Sequence, residues 1–443
     1  MAAKKNSALK GIFVIPIDDN KQMIYAPFSK VVFTTDKKSL PKIANFYKSL
    51  LKDNTTNTKV PKKTSSKEEN NFGNMGVTLC LTTDCNLRCV YCYASGGERK
   101  TYMDWKVAKA AMNMAFSNSR HHQLFALSFH GGGEPFMAFD MMKRCVEYAK
   151  KKCERGKKKL RIGVTTNGVM TDEKIEWVLK NNVHLNISFD GTPEVQDIQR
   201  PLPNNQPSHA LVEKTISTLV KKKIDFIVRS TITKDTVGKM KTIVEYFHGL
   251  GIRSVHFEPA FECGRCLKTK TSSPDPMEFA TSYIKSLEVA ERYGMNLYYS
   301  GGTIDKLSNT FCGAAGKNFF VTADGYITSC LEVQHKDDSA SKVFFYGKYD
   351  AKKGKFTVFK NRLKMLSSRK VSKIDSCQSC FCKFHCAGDC LAKGWKETGS
   401  LFKIGKSRCI ANRELTKYIL LRYLHGRPIK MRDFESGKKI EIV

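Results

Sequence analysis

The run Cys85-Asn86-Leu87-Arg88-Cys89-Val90-Tyr91-Cys92 places three thiols within eight residues. Three thiolates on one loop can wrap one face of a cubane iron-sulfur cluster and leave its fourth iron without a protein ligand. An open iron is a chemical site. The bland alternative is a structural zinc loop, which needs a fourth ligand nearby, and Cys80 is available. The aromatic residue before the last cysteine and the strand-helix alternation downstream fit zinc poorly.

A second group starts at Cys312, reaches Gly325 after twelve intervening residues and Cys330 after four more. Cys377-x2-Cys380-x5-Cys386-x3-Cys390 follows, then Cys409. Between the groups stands Cys263-Gly264-Arg265-Cys266, a strained catalytic or redox pair, an inert pair of thiols or an ancillary metal site. The chain holds 16 cysteines. The first twenty residues offer only the short apolar patch Gly11 to Pro16 before Asp18 and Asp19, which is not a secretory signal. A cytoplasmic location is therefore expected, with the cysteines binding metal or doing chemistry rather than forming disulfides.

The first run resembles the signature of the radical S-adenosylmethionine (SAM) superfamily, Cys-x3-Cys-x-aromatic-Cys. Gly132-Gly133-Glu134-Pro135 resembles the motif on the SAM amino group in that family. Thr165-Thr166-Asn167-Gly168 and Ser188-Phe189-Asp190-Gly191 end the next two strands, and Arg200 stands where similar proteins place an arginine on the SAM carboxylate. The resemblance implies a cluster on Cys85, Cys89 and Cys92, and SAM contacts from Tyr91, Gly132, Gly133, Glu134, Asn167, Ser188 and Arg200. Glycines allow close backbone approach, and a carboxylate at Glu134 can accept from an ammonium.

The second group resembles the seven-cysteine SPASM extension, which in similar enzymes holds two auxiliary [4Fe-4S] clusters. By that resemblance Cys377, Cys380, Cys386 and Cys409 bind one cluster completely, and Cys312, Cys330 and Cys390 bind the other. Its fourth ligand is open among Cys382, Cys263, Cys266, a carboxylate, water and the substrate. The implied cofactors are SAM and three [4Fe-4S] clusters, one of them SAM-binding.

Positioning these residues requires a scaffold. Strand-like runs at Val77 to Leu81, Phe125 to Phe129, Leu160 to Thr165, Leu185 to Phe189, Phe226 to Ile232 and Ser254 to Phe257 alternate with helix-period segments. Six such alternations predict an α/β fold, a partial (β/α)6 radical SAM barrel, with active residues at the carboxyl ends of its strands. The expected division is a small N-terminal lobe over 1–75, the barrel over 76–300, a cysteine-rich SPASM iron-sulfur domain over 301–412 and a polar tail over 413–443. Lys52 to Asn74 reads as linker.

The balance of 75 Lys+Arg against 42 Asp+Glu gives +33. Lys143 to Arg161 holds 10 basic and 2 acidic residues, and Ala351 to Lys373 holds 9 basic and none acidic. Such blocks steer an acidic partner. Lysine runs without aromatic interleaving carry no RNA-recognition signature, so nucleic acid is not expected. No apolar run approaches the ~18–20 residues of a membrane span.

SPASM proteins resemble peptide and protein modifiers. The first expectation is therefore oxidative crosslinking (thioether, C-C or C-O) of a ribosomally made precursor peptide, possibly an acidic one, served by a flavodoxin- or ferredoxin-type reductant. A peptide epimerase or other maturase, an RNA-modifying enzyme, and a non-catalytic electron-transfer or nucleic-acid-binding protein are the alternatives. Sulfatase maturation is disfavoured, because those enzymes carry Asp after the cysteine equivalent to Cys330 and this chain has Leu331. Asp190, Glu258, Glu262, Cys263 and Cys266 are the candidates for acid-base or redox work. The N-terminal lobe is a candidate to dock a leader peptide by strand addition.

Overall fold

The computed structural model describes residues 11–43, 45, 72–302, 307–432 and 439–442. The expected linker therefore lies outside the described residues as far as residue 71. The lobe is a three-stranded antiparallel sheet, β1 (Phe13–Pro16), β2 (Lys21–Ala26) and β3 (Val31–Asp36), in that order. It sits against the cysteine-rich region: Tyr25 Oη lies 2.5 Å from His385 Nε2, and the Phe28 and Phe384 rings are 4.7 Å apart.

The barrel follows as β4 (Gly76–Leu79), α1 (Trp105–Asn118), β5 (Leu124–Phe129), α2 (Phe139–Arg155), β6 (Lys159–Thr166), α3 (Asp172–Lys180) and β7 (His184–Ser188). It continues through α4 (Pro193–Gln199), α5 (His209–Lys221), β8 (Phe226–Ile232), α6 (Met240–Gly249), β9 (Ser254–Pro259), α7 (Pro276–Arg292) and β10 (Asn296–Tyr298). All the pairings from β4 to β10 are parallel. The strands alternate, as in β5, where Phe125, Leu127 and Phe129 are buried and their neighbours half-buried. One face packs under the helices and the other lines the concave side. Helix starts are locally encoded: Asp104 accepts from Lys106 N at 2.6 Å, and Asp275 caps Met277 and Glu278 beside Pro276 at the first helical position.

The sheet does not stop at residue 300. Beyond β4 it adds β11 (Phe320–Val321), parallel to β4, then the antiparallel strands β12 (Tyr326–Thr328), β13 (Phe345–Asp350) and β14 (Lys355–Val358). The result is one 11-stranded sheet with the order β10-β9-β8-β7-β6-β5-β4-β11-β12-β13-β14. Helices α8 (Lys360–Ser367), α9 (Leu391–Thr398) and α10 (Lys406–Leu424) complete the cysteine-rich region, and a hairpin of β15 (Ile429–Arg432) and β16 (Lys439–Ile442) follows.

The expected tail over 413–443 is corrected here. Residue 412 falls inside α10, which buries Leu415, Thr416 and Leu420 and packs on α7. The sequence of α10 carries charge on every side, so no apolar stripe announces it. A second correction concerns Ala351 to Lys373. Arg369 is only 1% exposed and donates to the carbonyls of Ala387 (2.7 Å), Gly388 and Leu401 (3.3 Å). One cation of that block is thus an internal strut under Cys386 and Cys390, not a surface charge.

Candidate functional site

Cys85, Cys89 and Cys92 lie on the loop after β4, at the carboxyl end of the barrel. Elements from several strand ends fasten this loop. Asn167, beyond β6, donates through Nδ2 to Asn86 Oδ1 at 2.7 Å and lies 3.8 Å from Cys85 Sγ. Arg88 N and Val90 N donate to Pro201 O and Gln199 O, beyond β7. Arg265, in the loop after β9, donates to Cys89 O (2.9 Å) and Gly96 O (2.7 Å) and pairs with Glu98 at 3.1 Å. A Cβ on Gly264 would meet Cys92 O at 2.4 Å, so the two loops touch backbone to backbone.

Burial pushes the Cys85 thiol up to about 12 and Cys89 to about 11, the latter opposed by Arg200 and Arg265. These are thiols held protonated until a metal cation displaces the proton. Three cysteine sulfurs on one loop, with two guanidiniums beside Cys89 to balance thiolate charge, fit a cubane cluster with one open iron.

Glu134 is 3% exposed, and its oxygens accept from Phe136 N (3.1 Å), Thr166 Oγ1 (2.8 Å) and Asn167 N (2.7 Å). It ties β5 to β6. Gly133 N and Glu134 N donate to Thr82 O and Asp84 O. A Cβ on Gly133 would stand 1.9 Å from Asp84 O, so glycine is required by the approach of the cluster loop itself.

Arg200 stacks over Tyr91 at 5.1 Å and lies 3.8 Å from Cys89 Sγ. Its Nε is 3.1 Å from Asp190 Oδ2 without hydrogen-bond alignment. Asp190, fully buried, also accepts from Tyr91 Oη, Gln199 Nε2 (2.7 Å) and Thr231 N (3.0 Å). With its oxygens so occupied, Asp190 is not an open acid-base group; it positions Tyr91 and Arg200. Ser188 ends β7 on the concave face.

Glu258 is likewise corrected. It sits 8% exposed with Arg408 Nη1 at 2.5 Å, Ser300 Oγ at 2.6 Å, His256 Nε2 at 3.3 Å and Lys393 Nζ at 3.5 Å. Although burial opposes ionisation, Arg408 and Lys393 hold its carboxyl well below the usual carboxylate range. A carboxylate so held is a poor base. Arg408 also pairs with Asp389 at 2.9 Å, so the network joins β9 to the cysteine-rich region. Glu262 is exposed and accepts from Ser273 N at 3.2 Å. Cys263 and Cys266 are buried free thiols, and burial pushes Cys263 up to about 11, against the lowered value a redox-active cysteine needs.

Cys377, Cys380, Cys386 and Cys409 line a single pocket. Cys382 lines it too, yet its sulfur bonds Thr416 Oγ1 at 3.0 Å, which makes it a packed core thiol. Four converging thiols suit one fully ligated cubane. In the other set, burial first, then Glu332 and then neighbouring thiols raise Cys330 well above its ordinary range, and Cys312 is among those thiols. Cys390 is pushed up to about 12 by burial and Glu332. Glu332 Oε2 is buried without a hydrogen-bond partner. Among the described residues, no three of His, Cys, Asp and Glu gather around one ion-sized point.

The sequence did not single out Arg265, Arg408 or Asp389 as site residues. Each stands directly beside a cysteine, and that adjacency was the available signal.

The barrel is partial and parallel, with three thiols after its first strand and a cysteine-lined extension on the same sheet. The family model described as the radical SAM superfamily matches residues 79–255, and the chain carries that domain. It is similar to a cysteine-type anaerobic sulfatase-maturating enzyme of Clostridium novyi, 25% identical over 188 residues, covering 41% of this chain and 50% of that one. The chain spans about 50–60% of the length of the first curated relatives it matches.

Among solved structures, anSMEcpe with bound AdoMet aligns with a TM-score of 0.62 at 15% identity, covering 80% of this chain and 99% of the other. Streptococcus suis SuiB bound to precursor peptide SuiA aligns with a TM-score of 0.54 at 14% identity, covering 90% and 98%. These two alignments establish the fold. No described helix is long and apolar enough to cross a membrane.

Proposed function

We propose that this protein modifies a ribosomally made precursor peptide by hydrogen-atom abstraction, with an oxidative crosslink as the outcome. Cys85, Cys89 and Cys92 would hold a [4Fe-4S] cluster, which would supply the one-electron reduction of SAM needed to generate the hydrogen-abstracting radical. The chain's own residues hold that chemistry in place. Asn167 and Arg265 fix the loop from opposite sides, Asp190 orients Tyr91 and Arg200 behind Cys89, and the glycines at 132 and 133 bring the β5 loop against it. The pocket of Cys377, Cys380, Cys386 and Cys409, and the set of Cys312, Cys330 and Cys390, would hold auxiliary clusters, which would supply an acceptor for the electron left after abstraction.

The observation that carries this reading is the fastening of the three-thiol loop from several strand ends at once. Substrate class is argued from the lobe and the relatives: β3 leaves its outer edge open among the described residues, with Val31 and Phe33 exposed, and a leader peptide can add there as a strand. SuiB, solved with its precursor peptide, and the sulfatase-maturating enzyme are the relatives that support a peptide or protein substrate.

The test is twofold. Anaerobically reconstituted protein with dithionite and SAM is expected to release 5′-deoxyadenosine, and its absence with an intact cluster overturns the reading. Co-expression with short reading frames beside the gene is then expected to give a peptide about 2 Da lighter by mass spectrometry, whereas an isobaric product points to epimerisation.

A further inference from the structure

Alternate residues of the barrel strands face the concave side, away from the helices. On β8, Val228 and Ile232 pack into the helix-covered core, which turns Arg229 to the concave face. Parallel register sets Ser188, Arg229 and His256 side by side on β7, β8 and β9. Arg229 is partly buried, and its guanidinium makes no hydrogen bond or ion pair with any described residue.

A guanidinium keeps its charge at any ordinary pH, and holding it partly buried without an anion is costly. The surrounding groups supply none. Burial, with Arg229's own charge, pushes His130 down to about 4, and both also lower His256. Glu258 lies one position further along the concave face, where Arg408, Lys393 and Ser300 already occupy it.

We propose that Arg229 is the receptor for a carboxylate of the substrate, an acidic side chain or chain terminus presented to the barrel interior. The inference rests on the reading above that the barrel acts on a peptide. A planar guanidinium matches a carboxylate bidentately, which a lysine does not. SAM is the other source of a carboxylate, but the guanidiniums that stand at the cluster loop are Arg200, 3.8 Å from Cys89 Sγ, and Arg265, which donates to Cys89 O at 2.9 Å. Arg229 stands beside His256 on the next strand and acts electrostatically on His130.

The experiment reads binding without turnover, on reconstituted holoprotein under anaerobic conditions. Capped glutamate (N-acetyl-Glu-amide) and capped glutamine (N-acetyl-Gln-amide) serve as probes in saturation-transfer NMR, alongside SAM and decarboxylated SAM by equilibrium dialysis. A charge-assisted pair of about 1.5–3 kcal/mol corresponds to a preference of about 10- to 150-fold for the glutamate probe. That preference is expected to vanish in Arg229→Gln and to return in part in Arg229→Lys, with SAM affinity within about threefold of the parent in both.

No preference in the parent protein, or a preference retained in Arg229→Gln, overturns the proposal. So does a tenfold loss of SAM affinity that spares decarboxylated SAM, since it assigns the carboxylate to SAM. If Arg229→Gln fails to load iron, Arg229→Lys carries the comparison alone: a preference equal to the parent's refutes the bidentate receptor, and a reduced one supports it. Failure to release 5′-deoxyadenosine would overturn the radical reading separately and leave these binding results standing.

Discussion

Replacing Arg369 with glutamine tests whether a buried guanidinium holds the segment between Cys386 and Cys390. Arg369 is 1% exposed and its three donor nitrogens meet the carbonyls of Ala387, Gly388 and Leu401. It fits there only because residue 388 is glycine at φ +78, where a Cβ would stand 2.9 Å from Nη1. Glutamine reaches at most one of those carbonyls. The change removes a charge-assisted bond of about 1.5–3 kcal/mol and leaves a buried carbonyl unsatisfied at about 1–3 kcal/mol. Relief of the guanidinium's own desolvation offsets part of this, so a net loss of about 3 kcal/mol is expected.

The loss should be local, because the acceptors belong to one segment. Hydrogen exchange on the reconstituted protein is the assay. A loss of ~3 kcal/mol accelerates exchange through local opening by about 150-fold in peptides covering residues 383–402. Peptides covering β5 and β6 should exchange as before. Acceleration of less than about threefold at 383–402, or equal acceleration in the barrel, would refute the reasoning.

Three further outcomes follow from the geometry. His130 is held neutral in the folded chain, its value lowered from 6.5 to about 4, while the unfolded chain protonates below 6.5. Stability therefore falls as pH drops from 6.5 toward 4, by about 1.4 kcal/mol at pH 5.5 from this group, and His130→Gln should flatten that part of a urea-midpoint series. Arg408→Met leaves Asp389 and Glu258 as buried carboxylates without their shared cation, an expected loss of about 3–5 kcal/mol by denaturant titration, with Arg408→Lys recovering less than half. Gly133→Ala drives a Cβ into Asp84 O and should cost SAM binding more than tenfold by equilibrium dialysis while far-UV circular dichroism stays unchanged.

Much of the barrel was legible because each strand alternates or runs apolar between turn residues. The run Phe226 to Ile232 was read with its observed ends, and five others were displaced by one or two residues. What escaped was set by tertiary contact. Asn296–Tyr298 is too short to signal a strand and exists by pairing with β9. Lys406–Leu424 is charged on every side and is helical because it packs on α7. At the site, the cysteines were legible from spacing, and four of them do converge. The carboxylates were not, since no spacing reveals that Asp190 has its oxygens occupied or that Glu258 faces two cations. A charged residue's role depends on partners from distant segments, as Arg408 and Glu258 show across 150 positions.

The parallel pairing of β11 with β4 has a consequence for how the chain comes to be made. Thr78 is matched to Phe320, so the outer edge of the first barrel strand stays uncovered until roughly 240 further residues have been synthesised. At ~5–20 residues per second that is roughly 12 to 50 s during which a strand of the nascent barrel offers unpaired backbone to any neighbour. The cysteine-rich region is thus the cover that closes the barrel's exposed edge. A ribosome that stalls before residue 320 releases a barrel with that edge open and prone to associate with its own kind.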